Sequence, residues 1–266
     1  MKRLITGLII TPFFFYVVAL GPSWSFLLSL AAVGLFCLYE FLGILSARFP
    51  EYQGFQRNPA IYAAGLFFMI LPSQEGVVLT LFALLLMVAA LRMGDLAGVL
   101  PMASGALLGV VYIFGSWRCG VLLRAMDPWW MLFALAINWL GDTFAYYAGS
   151  AFGKHKMAPR ISPAKSWEGA AASLISGIVL GSLFIQYKFP HVALAPAILL
   201  CAAANIAGQC GDLAESAMKR GAGVKDSGNF LPGHGGWLDR VDSSLFSVPV
   251  VYWLLSQEWF LGQAPR

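Results

Sequence analysis

Charge is what this sequence has least of. Of its 266 residues only 11% are charged, against 59% hydrophobic, and the mean hydropathy is +0.73. Soluble domains carry roughly 25% charged residues. The composition therefore excludes an ordinary soluble globule and points to a polytopic membrane protein, read as a single domain over residues 1–266. Cysteine is scarce too. Cys37, Cys119, Cys201 and Cys210 lie in or near apolar segments with no CxxC pair, which argues against a zinc site or a disulfide framework. No internal repeat or low-complexity tract stands out. Met1-Lys2-Arg3 precedes an apolar run, but no small-x-small cleavage site follows near Leu20, so this stretch reads as an uncleaved first span.

What the chain does have is apolar runs approaching the ~20 residues needed to cross a bilayer. They are expected at Leu4 to Leu20, Trp24 to Leu45, Ala60 to Leu71, Val77 to Leu91, Val99 to Trp117, Trp129 to Phe152, Gly169 to Tyr187, Val192 to Met218 and Leu245 to Leu261. The expected fold is an all-α polytopic integral membrane protein of about nine transmembrane helices with a polar, cytoplasm-facing cavity. Residues 1–128 supply N-terminal helices, and 129–266 the catalytic helices and cytoplasmic loops. With the N-terminus cytoplasmic, one side collects 13 of the 17 Lys and Arg residues. By the positive-inside rule that side is the cytoplasm. It includes two long basic loops, 153–168 and 219–242.

The polar residues within the apolar runs fall into stripes. Asn205, Gln209, Asp212, Ser216 and Lys219 recur at helical spacing with Glu215 beside them, among small residues that allow close helix packing. A second stripe holds Asn138, Asp142, Tyr146 and Ser150 at steps of four. Charged groups at membrane depth are costly and usually serve a function. Glu40 stands alone in the second run, with structural pairing and function equally open.

Both stripes end in basic loops. The first loop carries Lys154, Lys156 and Lys165, and Ser166 is placed to cap the next helix. The second holds Lys219, Arg220, Lys225, Asp226 and Arg240 around Gly233-His234-Gly235-Gly236. Glycines there would let backbone N–H groups approach an anion, as in a phosphate cradle. Asp239 and Asp242, one turn apart, suit a hard cation together with Asp212, and carboxylates with phosphate oxygens suit Mg²⁺.

The pattern Ser216-x-Met218-Lys219-Arg220-x4-Lys225-Asp226-x-Gly228-x2-Leu231-Pro232-x-His234-Gly235-Gly236-x2-Asp239-Arg240-x-Asp242 resembles the signature of the phosphatidate cytidylyltransferase (CDP-diacylglycerol synthase) family. Asp142-Thr143-x-Ala145-Tyr146, Phe152 to Lys156, and Ile161-Ser162-Pro163 to Glu168-Gly169 are similar to the family's other shared stretch. The likeness covers residues 138–246. Four positions depart from it. Trp237 replaces an aliphatic residue and Ser166 a Thr, while Ala164 and Ser150 stand where Lys and Arg are common.

The resemblance implies that CTP and phosphatidic acid give CDP-diacylglycerol and pyrophosphate at a membrane lipid surface. It implies Asp212 and Asp239 on Mg²⁺, with Asp142, Glu215 and Asp242 as further ligands or support. Lys219, Arg220, Lys225 and Arg240 would neutralise phosphates, with Asp226 part of the same catalytic set. Asp142, Tyr146, Lys154, Lys156, Lys165, Ser216, His234, Gly235 and Gly236 would bind substrate. A homodimer in a bacterial-type inner membrane is expected, and no nucleic-acid partner. The alternatives are a CTP-dependent polyprenol or lipid kinase and, in a different class, an ion-coupled transporter. The DGxxAR opening of CDP-alcohol phosphotransferases is absent.

Overall fold

The structure is a computed structural model and describes residues 12–49, 53–71, 75–90, 96–230, 235–257 and 260. The helices form where the apolar runs lie. They are α1 (Ser23–Arg48), α2 (Pro59–Ile70), α3 (Glu75–Ala90), α4 (Val99–Met126), α5 (Pro128–Phe152), α6 (Trp167–Lys188), α7 (Leu194–Gly221) and α8 (Leu238–Leu255). Four of them, α1, α4, α6 and α7, are long and apolar enough to cross a membrane, while α2 and α3 are shorter apolar helices. The protein is thus an all-α integral membrane protein. The expected first span is described only from residue 12, and Lys2, Arg3, Arg92 and Arg266 of the charge pattern lie outside the described residues.

One segment differs from expectation. The basic stretch 153–168, read as a loop, contains a small antiparallel hairpin of β1 (Lys156–Ala158) and β2 (Ser162–Ser166), with Lys156 opposite Ser166 and Ala158 opposite Ser162. Pro163 lacks the N–H for a full ladder, which hides a strand from the sequence. The hairpin is tied down locally. The Trp167 N–H donates to the His155 carbonyl at 2.9 Å, and the Glu168 carboxylate accepts from the His155 N–H and meets its ring Nδ1 at 2.6 Å.

The chain divides into two compact units. The first comprises Met1–Val17, Gly21–Arg118 and Met218–Arg240, and the second Val18–Leu20, Cys119–Ala217 and Val241–Arg266.

In the first unit the packing centres on Phe114, which is fully buried. It sits in a wide π-helical turn of α4, Val111–Gly115, and its ring lies against Gly34 of α1 and Gly65 of α2. A Cβ at Gly34 would come within 2.8 Å of that ring, and one at Gly65 closer still. Glycine is what lets both helices reach one aromatic ring. Asn58 caps α2 by accepting from the Ala60 N–H, with Pro59 at the first helical position. At its other end Arg118 donates to the carbonyls of Phe68 and Leu71, filling acceptors a helix end leaves open.

In the second unit α5 and α6 run together through small residues. Gly169, Ser173, Gly177 and Gly181 recur every four residues on the buried face of α6. Gly169 faces the Ala145 carbonyl and the Gly149 backbone of α5, while Gly141 faces Ser173 and Asn205. Asp127 caps α5 by accepting from the Trp129 N–H at 2.8 Å. Close to that end Trp130 stacks on Phe189 at 3.9 Å, and the Lys188 ammonium lies 3.6 Å over the Trp129 ring, a lysine at the end of a membrane helix turned back along an aromatic.

Candidate active site

The two polar stripes meet two fates. Asn138 is buried and donates to the Ala134 carbonyl and to Ser247 Oγ at 2.7 Å. Asn205, also buried, exchanges hydrogen bonds with Ser173, and Gln209 donates to Asn205 at 2.7 Å and to the Ala170 carbonyl. These three join helices, satisfying polar groups that an apolar interior would otherwise penalise.

Asp142 and Tyr146 of one stripe and Gln209 and Asp212 of the other line a cavity of about 370 Å³ in the second unit. Its wall includes Asp142, Tyr146 and Gly149 from α5, Ser162, Ala164, Lys165 and Ser166 from the hairpin, and Gln209 and Asp212 from α7. That volume lies within the range of small-molecule sites. Lys165 and Asp212 form an ion pair, and Ser216 Oγ donates to Asp212 at 3.4 Å. The paired side chains are 26% and 31% exposed. A pair this open contributes only about 0–1 kcal/mol to stability, so stability gives little reason for placing two opposite charges on a cavity wall. Ser166 caps α6, its Oγ accepting from the Gly169 N–H at 3.2 Å, as expected. Lys154 and Lys156 are exposed on the hairpin. Gln209, Ser162 and Gly149 are cavity residues the sequence reading did not assign to substrate. Gln209 was already on the Asp212 stripe, which was the available signal.

The first unit holds the remaining cluster. Lys219, in the last turn of α7, meets Asp239 Oδ1 at 2.5 Å, with side chains 11% and 7% exposed. Asp239 also accepts from the Ser227 N–H at 3.2 Å and the Gly236 N–H at 2.9 Å. It sits at the start of α8, ahead of the apolar run. Burial alone would raise the Asp239 pKa, but the Lys219 hydrogen bond, those N–H groups and the lysine charge outweigh it and hold the carboxyl below its ordinary value. Gly235 has φ +80°, a left-handed turn that favours glycine. Arg220 donates to the Val224 carbonyl at 3.3 Å, and Lys225, Asp226 and Arg240 are exposed. His234 lies outside the described residues.

Of the five carboxylates expected at a metal, Asp142 and Asp212 line the cavity. Asp239 is held in the first unit by Lys219. Glu215 is fully buried, and Asp242 is nearly so, with an oxygen accepting from the Ser243 N–H at 2.7 Å. Among the described residues no three His, Cys, Asp or Glu side chains gather closely enough to hold an ion by themselves.

Sequence reading missed the role of Glu40. It lies 2% exposed in α1 and accepts from Ser227 Oγ at 3.1 Å, the Trp237 N–H at 3.1 Å and the Leu238 N–H at 2.8 Å. Its only signal was a lone acid in an apolar helix.

The fold and site define an integral membrane protein of small-residue helices that carries two lysine–aspartate pairs. The chain belongs to the cytidylyltransferase family, whose sequence profile matches residues 1–257. It is 32% identical to a phosphatidate cytidylyltransferase of Bacillus subtilis, over 96% of this chain and 97% of that protein. It is 40% identical to the enzyme of that name from Haemophilus influenzae over 53% of this chain and 51% of that one. With the one from Pseudomonas aeruginosa it shares 38% identity over 58% and 57%.

Proposed function

We propose that the chain transfers a cytidylyl group from CTP to phosphatidic acid, giving CDP-diacylglycerol and pyrophosphate. The observation that carries the reading is the cavity lined together by Asp142, Tyr146, Lys165, Ser166 and Asp212, in a chain similar along nearly its whole length to a phosphatidate cytidylyltransferase.

An oxygen of the phosphatidate phosphate bonds to the α-phosphorus of CTP as the bond to the bridging oxygen of the β-phosphate breaks. Pyrophosphate leaves with the electron pair. The attacking phosphate is already ionised near pH 7, so no strong base is required of the protein. The difficulty is bringing two polyanions together, and cationic side chains set in place beforehand answer it. Lys165 supplies such a charge in the cavity, while Lys219, Arg220, Lys225 and Arg240 supply others, with Lys154, Lys156 and the glycine-rich turn assisting phosphate binding. Lys165 and Lys219 each rest on an aspartate. Such pairing holds a lysine side chain in place until a phosphate competes for it.

Mg²⁺ fits the oxygen donors of Asp142 and Asp212, and the pairing of Asp212 with an ammonium marks it as a place where positive charge is favoured. These two would hold the ion, with Glu215 and Asp242 of the same unit as support and phosphate oxygens completing its shell. When bound, it supplies charge neutralisation on the phosphates.

About nine spans, a cavity open to the cytoplasm, residence in a bacterial-type inner membrane and a homodimer complete the proposal. The 13-to-4 distribution of Lys and Arg supports the orientation. Cysteines introduced at Arg160 and Asn229 should react with an impermeant thiol reagent only after lysis, and labelling in sealed cells would reverse the topology. Light scattering in detergent reads the oligomer. The activity is tested by incubating purified protein with CTP and phosphatidic acid: a CDP-lipid product is expected, and its absence across a Mg²⁺ titration would overturn the assignment.

A further inference from the structure

We propose that Glu40 is a positioning residue for cytidylyl transfer. From α1 it holds Ser227 and the Trp237–Leu238 backbone together, and so fixes where Asp239 and Lys219 stand. This rests on the function proposed above, and extends the site to an N-terminal helix outside the signature region.

The geometry is a double clasp. Ser227 is held twice, its hydroxyl by Glu40 and its N–H by Asp239. At the other end Asp239 takes the Gly236 N–H, while Glu40 takes the next two, of Trp237 and Leu238. A carboxylate can only accept, and here its two oxygens meet three donors. The glycines make this approach possible. A Cβ on Gly236 would meet Glu40 Oε2 at 2.5 Å, and one on Gly228 would meet Oε1 more closely still. These glycines of the signature therefore make room for the side chain of Glu40.

Aromatic contacts on the same face of α1 repeat the clasp. Phe36, Tyr39 and Glu40 follow helical i, i+3, i+4 spacing. Phe36 stacks on Trp237 at 6.1 Å and meets Phe230 at 5.3 Å, and Tyr39 meets Phe230 edge-on at 5.6 Å. Trp237, which departs from the aliphatic residue usual there, is the ring that Phe36 stacks on. A glutamate that merely satisfied itself within α1 would not reach 187 to 198 residues along the chain for its partners.

The test uses the full-length protein with three variants, Glu40→Gln, Glu40→Asp and Asn229→Cys, the last in a Cys210→Ser background. Glutamine keeps the shape but turns a donor toward donors, and an unsatisfied buried group of this kind is expected to change constants roughly tenfold or more. Glu40→Gln should raise the KM for CTP by about that factor and leave the KM for phosphatidic acid within about twofold. Glu40→Asp, which retains the charge, should recover part of the loss. Labelling of the thiol introduced by Asn229→Cys should be faster when combined with Glu40→Gln than with Glu40 intact, a readout that needs no turnover. CTP kinetics within twofold of wild type, equal losses for both substrates with no recovery in Glu40→Asp, or unchanged labelling would each overturn the proposal. Failure of the wild-type protein to make CDP-diacylglycerol would instead overturn the function, leaving the labelling result to judge the clasp alone.

Discussion

Two lysine–aspartate pairs of the same composition sit in environments that assign them different work, and methionine at each lysine separates the two. Lys219 and Asp239 are 11% and 7% exposed. Removing the lysine strands a buried carboxylate, which costs about 3–5 kcal/mol. The N–H groups of Ser227 and Gly236 still reach Asp239, so the loss should fall near the low end, about 3 kcal/mol. For a chain of this size, a kcal/mol moves the unfolding midpoint by roughly 2–4 °C. Lys219→Met should therefore lower Tm by roughly 6–12 °C. Lys165 and Asp212 are 26% and 31% exposed, and such a pair contributes about 0–1 kcal/mol. Lys165→Met should shift Tm by less than about 4 °C yet lose most turnover. Thermal unfolding in detergent, followed by the fluorescence of the nine tryptophans, reads both. Equal shifts, or a larger shift for Lys165→Met, would refute the reading that the buried Lys219–Asp239 pair carries stability as well as charge while the open Lys165–Asp212 pair carries little stability.

Asp212→Asn should cut kcat by at least about a hundredfold while the protein inserts and purifies normally; Glu215→Gln, fully buried and off the cavity wall, should lose less. Near wild-type turnover in Asp212→Asn would pass the leading role to Asp142, which lines the same cavity. Ala164 lines the cavity, so Ala164→Lys should lower the KM for CTP severalfold. Ser150 is exposed and donates to the Tyr147 carbonyl, and Ser150→Arg should change KM less. An unchanged KM in Ala164→Lys would mean that this wall does not see the triphosphate.

Much of this was legible because membrane helices announce themselves by length and because polar residues inside them must be placed by period. The Asp212 stripe, the Asp142 stripe and the Ser166 cap are local facts, set by residues at most a few turns apart. Asn138 and Asn205 shared those stripes yet turned out to join helices, since period gives the face of a helix but not what covers it. The hairpin at 156–166 was hidden by its brevity and by Pro163. The role of Glu40 was hidden by distance, because its donors are a serine hydroxyl and two backbone N–H groups far along the chain, and a backbone N–H has no letter in a sequence. The Lys165–Asp212 pair lay in between. Both residues were candidates, but their pairing depends on the hairpin.

The most direct measurement uses CTP labelled in turn at its α- and γ-phosphates, with purified protein and phosphatidic acid. Cytidylyl transfer predicts that α-label enters the lipid phase as CDP-diacylglycerol while γ-label leaves as pyrophosphate, in equal amounts. Label from the γ-phosphate entering the lipid, with the α-label left in water, would contradict the account and make the protein a lipid kinase.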